Sequence, residues 1–187
     1  MKIENTVLPG VLIIEPQVFG DQRGFFLETF NQARYQEIGV PGPGLEFLQD
    51  NHSRSSRGVV RGLHFQVKHP QGKLVWVSSG TVFDVVADVR PGSATYLKWV
   101  GVELSDENHR QLWVPPGYAH GFCVLSDHAD FHYKCTDYYH PEDESGVRWD
   151  DPDLNIQWPV MEPVISQKDK ELPLLAQADA NKLPLSL

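Results

Sequence analysis

An all-β sandwich or barrel is the fold class the sequence predicts, on three observations. Short β-branched and aromatic runs recur along the 187 residues, Gly, Pro and Asp turns separate them, and helical periodicity is scarce. Strands are expected at 11–15 (VLIIE), 25–30 (FFLETF), 46–51 (EFLQDN), 59–66 and 73–79. Further strands are expected at 81–89 (TVFDVVADV), 97–104 (LKWVGVEL), 111–114, 121–126 and 130–138. GDQRG, PGPG, SSG, RPGS and VPPG supply the turns between them. Asn31 is placed to cap a short helix, NQARYQEI, that stops at Gly39. Ser166 and Asp169 form the S-x-x-D pattern of a capping box, which predicts a second helical turn. One domain over 1–187 is expected, with a Pro- and Ala-rich tail (about 172–187) loosely attached.

Composition narrows the function classes. Hydrophobic residues make up 41% and charged residues 22%, as in ordinary globular proteins, and the formal charge is −9. That charge argues against nucleic-acid binding as the main role. No apolar run approaches the roughly 20 residues that span a bilayer. The N-terminal MKIENTVLPGVLIIEP lacks the form of a secretory signal. Cys123 and Cys135 lie in apolar, strand-like surroundings, which predicts two buried free thiols in a cytoplasmic protein and no disulfide. There is no cysteine-based metal pattern.

The charge is unevenly spread. From Asn51 to Phe83 there is no Asp or Glu, yet the stretch holds Arg54, Arg57, Arg61, Lys68 and Lys73, with His52, His64 and His69. An acidic protein with one basic strand region either concentrates cations where an anion binds or exposes a solvated basic face. Between Asp137 and Asp153 the pattern reverses, with seven acids opposed by Arg148 alone, which reads as a solvated acidic region.

Within the basic stretch, RGLHFQ (61–66) and QGKLV (71–75) put His64 and Lys73 on neighbouring strands. Gly62 removes a side chain beside His64, so a ligand or a backbone can approach closely. Strict alternation sets His64 and Gln66 on one face and Arg61 and Leu63 on the other, whereas a bulge at Gly62 would bring Arg61 and His64 together. VPPGYAHGF (114–122) leads to His120 and resembles the second motif of cupin β-barrels. A cupin metal site would need a second histidine and a glutamate on the first hairpin, where the chain offers only His64, with Gln66 in the second place. Tyr133 and Tyr139 are six residues apart and share a face with Phe131 and Cys135 if the strand is regular. They read either as core tyrosines or as a proton donor and an aromatic platform.

Taken in order, EPQVFGDQRGFFLETFN, FLQDNHSRSSRGVVRGLHFQ, QGKLVWV, TVFDVVADVR, WVGVELSDENHRQLWVPPGYAHGF, FHYKCTDYY, WDDPDLNIQWP and ISQKD resemble the dTDP-4-dehydrorhamnose 3,5-epimerases along nearly the whole chain. The resemblance implies a cupin-type jelly roll (double-stranded β-helix) with a few short helical turns, acting as a homodimer without metal or organic cofactor. It implies epimerisation of dTDP-4-dehydro-6-deoxy-D-glucose at sugar carbons 3 and 5, on the way to dTDP-L-rhamnose. A relative acting at one carbon, or a keto-sugar isomerase, is the alternative on the same scaffold. In this sequence His64 matches the proton acceptor, Asp169 its carboxylate partner and Tyr133 the proton donor. Lys73 and His120 match residues around the sugar, and Arg23, Glu28, Gln49, Asn51 and Arg61 match nucleotide and diphosphate contacts. Tyr139 matches the residue that stacks on thymine, and Glu144 and Lys168 match further substrate contacts. Departures from the family pattern, such as Trp76 and Ser78-Ser79, lie outside these positions.

The chemistry fits those residue types. Hydrogens beside a ketone are acidic because the carbanion delocalises into the carbonyl. An imidazole, with an ordinary pKa of about 6.5, accepts such a proton near neutrality, and a phenol, at about 10, can return one from the other face.

Overall fold

The computed structural model describes residues 1–185. In chain order its strands are β1 (Lys2–Asn5), β2 (Leu12–Glu15), β3 (Val18–Asp21), β4 (Gly24–Leu27), β5 (Gln49–Ser56), β6 (Val59–Gln66) and β7 (Lys73–Ser79). There follow β8 (Thr81–Ala87), β9 (Trp99–Ser105), β10 (Gln111–Val114), β11 (Ala119–Val124), β12 (His128–Cys135), β13 (Glu144–Gly146) and β14 (Val164–Ile165). Among the described residues helix is confined to α1 (Gln32–Glu37), α2 (Gln167–Lys170) and two 3₁₀ turns near the C-terminus. β6, β7 and β10 fall where the alternation predicts them. β1, β3, β13 and β14 are too short or too polar to have been recognised. The run expected at 130–138 ends at Cys135.

Two sheets form a cupin-type jelly roll. The first has the order β1-β2-β10-β7-β12-β5; the second has the order β13-β6-β11-β8-β9, with β14 parallel to β6. β3 and β4 form a separate hairpin. The inner faces meet in a core that includes Val75, Leu112, Phe131, Val86, Leu104 and Phe122. β5 shows the plain half-buried alternation, Asn51 and Ser53 facing in and Asp50, His52 and Arg54 facing out.

β8 and β11 read as almost continuous apolar runs because both their faces are covered. The outer cover is the C-terminal segment. Leu154, Ile156, Leu175 and Leu183 pack with Leu63, Phe65, Val85 and Ala87. The tail expected to be loose from about residue 172 is therefore docked over its described part. Leu175 N–H donates to Asp151 Oδ2 at 2.6 Å, and Arg148 N–H donates to Pro173 O at 2.9 Å. Composition pointed to a loose end, but two buried leucines, each contributing roughly 1.5–3 kcal/mol, hold it.

Both helix starts follow their caps. Asn31 Oδ1 accepts from Arg34 N–H, and Ser166 Oγ accepts from Asp169 N–H. Tyr35 of α1 packs with Ile14, Leu74 and Trp113 on the outer face of the first sheet.

Candidate active site

A cleft of about 570 Å³ opens between the two sheets, and a second of about 210 Å³ adjoins it, sharing His64, Lys73, Tyr133, Tyr139 and Glu144. The second sheet contributes Arg61 and His64 from β6 and His120 from β11. The first contributes Lys73 from β7 and Tyr133 from β12.

A bulge in β6 decides which side chains reach it. His64 pairs with His120 and Arg61 with Phe122, so β6 advances three residues where β11 advances two. Arg61 and His64, which strict alternation would set on opposite faces, both line the cleft. Gly62 makes this possible. It sits at φ +126°, and a Cβ there would lie 2.6 Å from Gly121 Cα. The close approach that Gly62 permits is thus that of the β11 backbone.

His64 is oriented from far along the chain. β14 runs parallel to β6 and leads into α2, which brings Asp169 Oδ1 to 2.7 Å from His64 Nε2. Asp169 Oδ2 also accepts from Gly62 N–H at 3.4 Å. The sequence pattern suggested that this carboxylate closes a capping box; instead it is spent on the imidazole, and Ser166 alone caps the helix. Burial pushes the Asp169 carboxyl up, but the His64 bond and the other donors outweigh it and hold it below the usual range.

His120 has its own carboxylate. Its Nε2 lies 2.9 Å and 3.0 Å from the two Asp84 oxygens. Asp84 faces inward on β8 between Val82 and Val86, fully buried, and burial pushes its pKa up while His120 and Lys73 pull against that shift. The sequence reading missed Asp84. The available signal was an acid inside TVFDVVADV, because a carboxylate on a buried strand persists only with a partner.

Lys73 is desolvated, which lowers its pKa, while Cys135, Glu144 and Asp84 oppose the shift. Burial raises the Tyr133 phenol, so it is protonated at neutral pH. Tyr133 shares the inward face with Phe131 and Cys135, as the alternation predicts. Both cysteines are buried and free, and burial pushes each thiol up to about 11.

Tyr139 reaches the cleft from the loop after β12. Its N–H donates to Gln49 Oε1 at 3.0 Å, and its hydroxyl donates to Glu144. Lys168 Nζ joins the same carboxylate at 2.5 Å. Gln49 and Asn51 line the adjoining cavity. Arg61 is steadied by a 3.0 Å bond from its Nε to Ser55 Oγ.

Arg23 and Glu28 are not part of this cleft. Arg23 pairs with Asp21 on the exposed β3–β4 hairpin, and Glu28 pairs with Arg34. Nor is the whole basic stretch an anion site. Arg54 binds Asp130 on the outer face of the first sheet and Arg57 binds Asp127, which leaves Arg61, His64 and Lys73 to face the cleft.

A jelly roll whose cleft joins an imidazole–carboxylate pair, a lysine and a phenol defines a cupin-type enzyme of acid–base chemistry. The family model described as dTDP-4-dehydrorhamnose 3,5-epimerase matches residues 5–177, and the chain belongs to that family. It is 55% identical over 170 residues to the dTDP-4-dehydrorhamnose 3,5-epimerase of Shigella flexneri, covering 90% of this chain and 93% of that one. A solved dTDP-6-deoxy-D-glucose-3,5-epimerase from Legionella pneumophila, in complex with dTDP-4-keto-L-rhamnose, is 53% identical with a TM-score of 0.94, over 100% of this chain and 98% of that one. A dTDP-4-dehydrorhamnose 3-epimerase from Streptomyces niveus is 43% identical over 187 residues, covering 98% and 89%.

Proposed function

We infer that the protein epimerises dTDP-4-dehydro-6-deoxy-D-glucose at carbons 3 and 5, giving dTDP-4-dehydro-L-rhamnose for dTDP-L-rhamnose synthesis. The observation that carries this reading is the His64–Asp169 pair, which lines one cleft with Tyr133 and Lys73 of the facing sheet. With Nε2–H donated to Asp169, His64 Nδ1 is left as the proton acceptor. Asp169 holds that tautomer and stabilises the imidazolium, the role a carboxylate plays in a hydrolytic triad. Lys73 supplies positive charge to the enolate oxygen as the ketone's neighbouring carbon loses its proton. Tyr133, on the opposite sheet, returns a proton to the other face, which inverts the carbon. His120, held by Asp84, supports the sugar beside His64. Arg61 suits the diphosphate, Tyr139 the thymine ring, and Gln49, Asn51, Glu144 and Lys168 further contacts.

This reading needs neither a metal nor an organic cofactor: no electrons leave the substrate, and Lys73 supplies the positive charge that a Lewis-acid metal would otherwise bring to the enolate oxygen. Dimerisation completes the site on this reading. The β3–β4 hairpin exposes Phe19, Phe25 and Phe26 and holds Arg23, and Glu28 follows directly after it, which suits an arm laid against a second copy with both residues offered to that copy's nucleotide. A cytoplasmic location is part of the same proposal. Among the described residues no helix is long and apolar enough to cross a membrane.

Proton NMR of the substrate with enzyme in heavy water tests the reading. Deuterium should enter at both carbons, with inverted product, at a rate that survives prolonged chelation. Exchange and inversion at carbon 3 alone would make it a single-carbon epimerase, the alternative that the 43% identity to a 3-epimerase supports. No exchange at either carbon would overturn the enzymatic assignment.

A further inference from the structure

Outside the cleft, the end of β6 and the loop after β12 bring three potential metal ligands together. His69, Asp137 and His140 each offer one ligand atom, and these atoms all lie within 4.8 Å of one another. His69 Nδ1 is 3.4 Å from Asp137 Oδ2, and the rings of His69 and His140 stack at 4.0 Å with 17° between their planes. Glu142 Oε1 stands 3.4 Å from His140 Nδ1, so a fourth donor is within reach.

The backbone beneath this cluster is unusually well held. Gln66, 4% exposed, donates through Nε2 to His69 O at 2.7 Å and Tyr138 O at 3.2 Å, and its Oε1 accepts from His140 N–H at 2.8 Å. Asp143, 9% exposed, accepts from Lys68 N–H and His69 N–H. Gln71 Nε2 donates to Asp137 O at 2.9 Å. Polar side chains, Gln66 and Asp143 buried and Gln71 half-buried, thus pin the main chain of all three ligand residues, while the ligand side chains stay partly open to solvent. Such pinning lowers the ordering cost of capturing an ion.

We propose that His69, Asp137 and His140 form a binding site for a divalent transition ion of the zinc type, separate from the catalytic cleft. Two imidazoles and a carboxylate are a borderline donor set that zinc favours, and calcium or magnesium would call for oxygen ligands. Zinc bonds of about 2.0–2.1 Å set tetrahedral donors roughly 3.3 Å apart, a spacing these atoms, within 4.8 Å of one another, reach once the two stacked rings turn out of parallel toward one ion. Water or Glu142 fills the remaining position. The ion ties the end of β6 to the segment that carries Tyr139 into the cleft, since Tyr139 directly precedes His140.

Titration of the chelated full-length protein with zinc, against a chromogenic chelator, tests the site. One zinc per chain should bind, and His69→Gln and Asp137→Asn should each weaken it roughly tenfold or more. Asp137→Asn keeps the acceptor for Tyr138 N–H, so it guards against a folding artefact at His69. Circular dichroism of both variants should match the parent. No bound zinc in the parent, or one bound equally well by both variants, would overturn the site.

Discussion

His64 and His120 pair across neighbouring strands, each hydrogen-bonded to an aspartate, yet the two pairs sit in different media. The His64 side chain is 26% exposed and opens on the cleft; that of His120 is 8% exposed. Asp169 arrives on a helix from 105 residues away and is held below the usual carboxylate range. Asp84 sits on the adjacent strand, fully buried, and is pushed above it. The same two side-chain types thus give, at the solvent edge, an imidazole whose carboxylate partner can stabilise the proton it accepts, and, deeper in, a desolvated pair that stiffens the cleft wall. Burial, more than residue identity, divides the roles.

The largest effect should come from His64. His64→Ala is expected to abolish both epimerisation and deuterium uptake, while dTDP still binds, read by calorimetry. Residual exchange at a rate near the parent's would move the base elsewhere, with His120 the first candidate, and would erase the distinction between the pairs.

Tyr133→Phe should cost roughly 10²–10⁴-fold in product, the range for removing a general acid. Unlike His64→Ala, it should still wash deuterium into the sugar, giving labelled but unepimerised substrate. Tyr139→Phe is the matched control, since it keeps the ring and loses the hydroxyl's contacts with Glu144 and Lys168. Turnover near the parent's in Tyr133→Phe would assign the donor to another group or to water.

The aspartates sharpen the comparison. Asp169→Asn should cut turnover strongly, on the order of 10²-fold or more, because the imidazole loses the partner that sets its tautomer. A carboxylate that only capped α2 would cost about 1 kcal/mol or less of stability and leave turnover intact. Asp84→Asn should act less on turnover.

The smallest effect is in the pH dependence of stability, where the two should differ in sign. Asp169 is lowered, so its contribution is present above the unfolded value near 3.8 and is lost as pH falls through the folded value. Asp84 is raised, so above 3.8 the native state keeps a proton that the unfolded chain has released, and stability declines as pH climbs through that window. Urea unfolding across about pH 3–6 should therefore show Asp84→Asn gaining on the parent as pH rises. Asp169→Asn should approach the parent only toward the acid end. Parallel curves for all three proteins would refute the burial argument.

Much of this was legible in the chain, for a local reason. Strand alternation, Gly and Pro turns and side-chain caps act within a few residues, so β6, β7, β10 and both helix starts could be read directly. His64 and Lys73 stood out as polar residues on neighbouring strands of an acid-free stretch, and Tyr133 by its six-residue spacing from Tyr139. The family motifs supplied Asp169 and Tyr139, which no local pattern could have joined to His64.

What the tertiary structure decided is set by register and by which strands become neighbours. A bulge opposite Gly121 turned Arg61 and His64 to one face. Pairing of β8 with β11 set Asp84 beneath His120, across 36 residues of sequence. Two leucines in a segment that reads as a loose tail found the uncovered face of the second sheet. The β3–β4 hairpin found no such cover and left Arg23 outside the cleft. Alternation determines which side chains can share a face, because it is a property of the single strand; which faces then meet depends on long-range burial, whose free energy is summed over the whole fold.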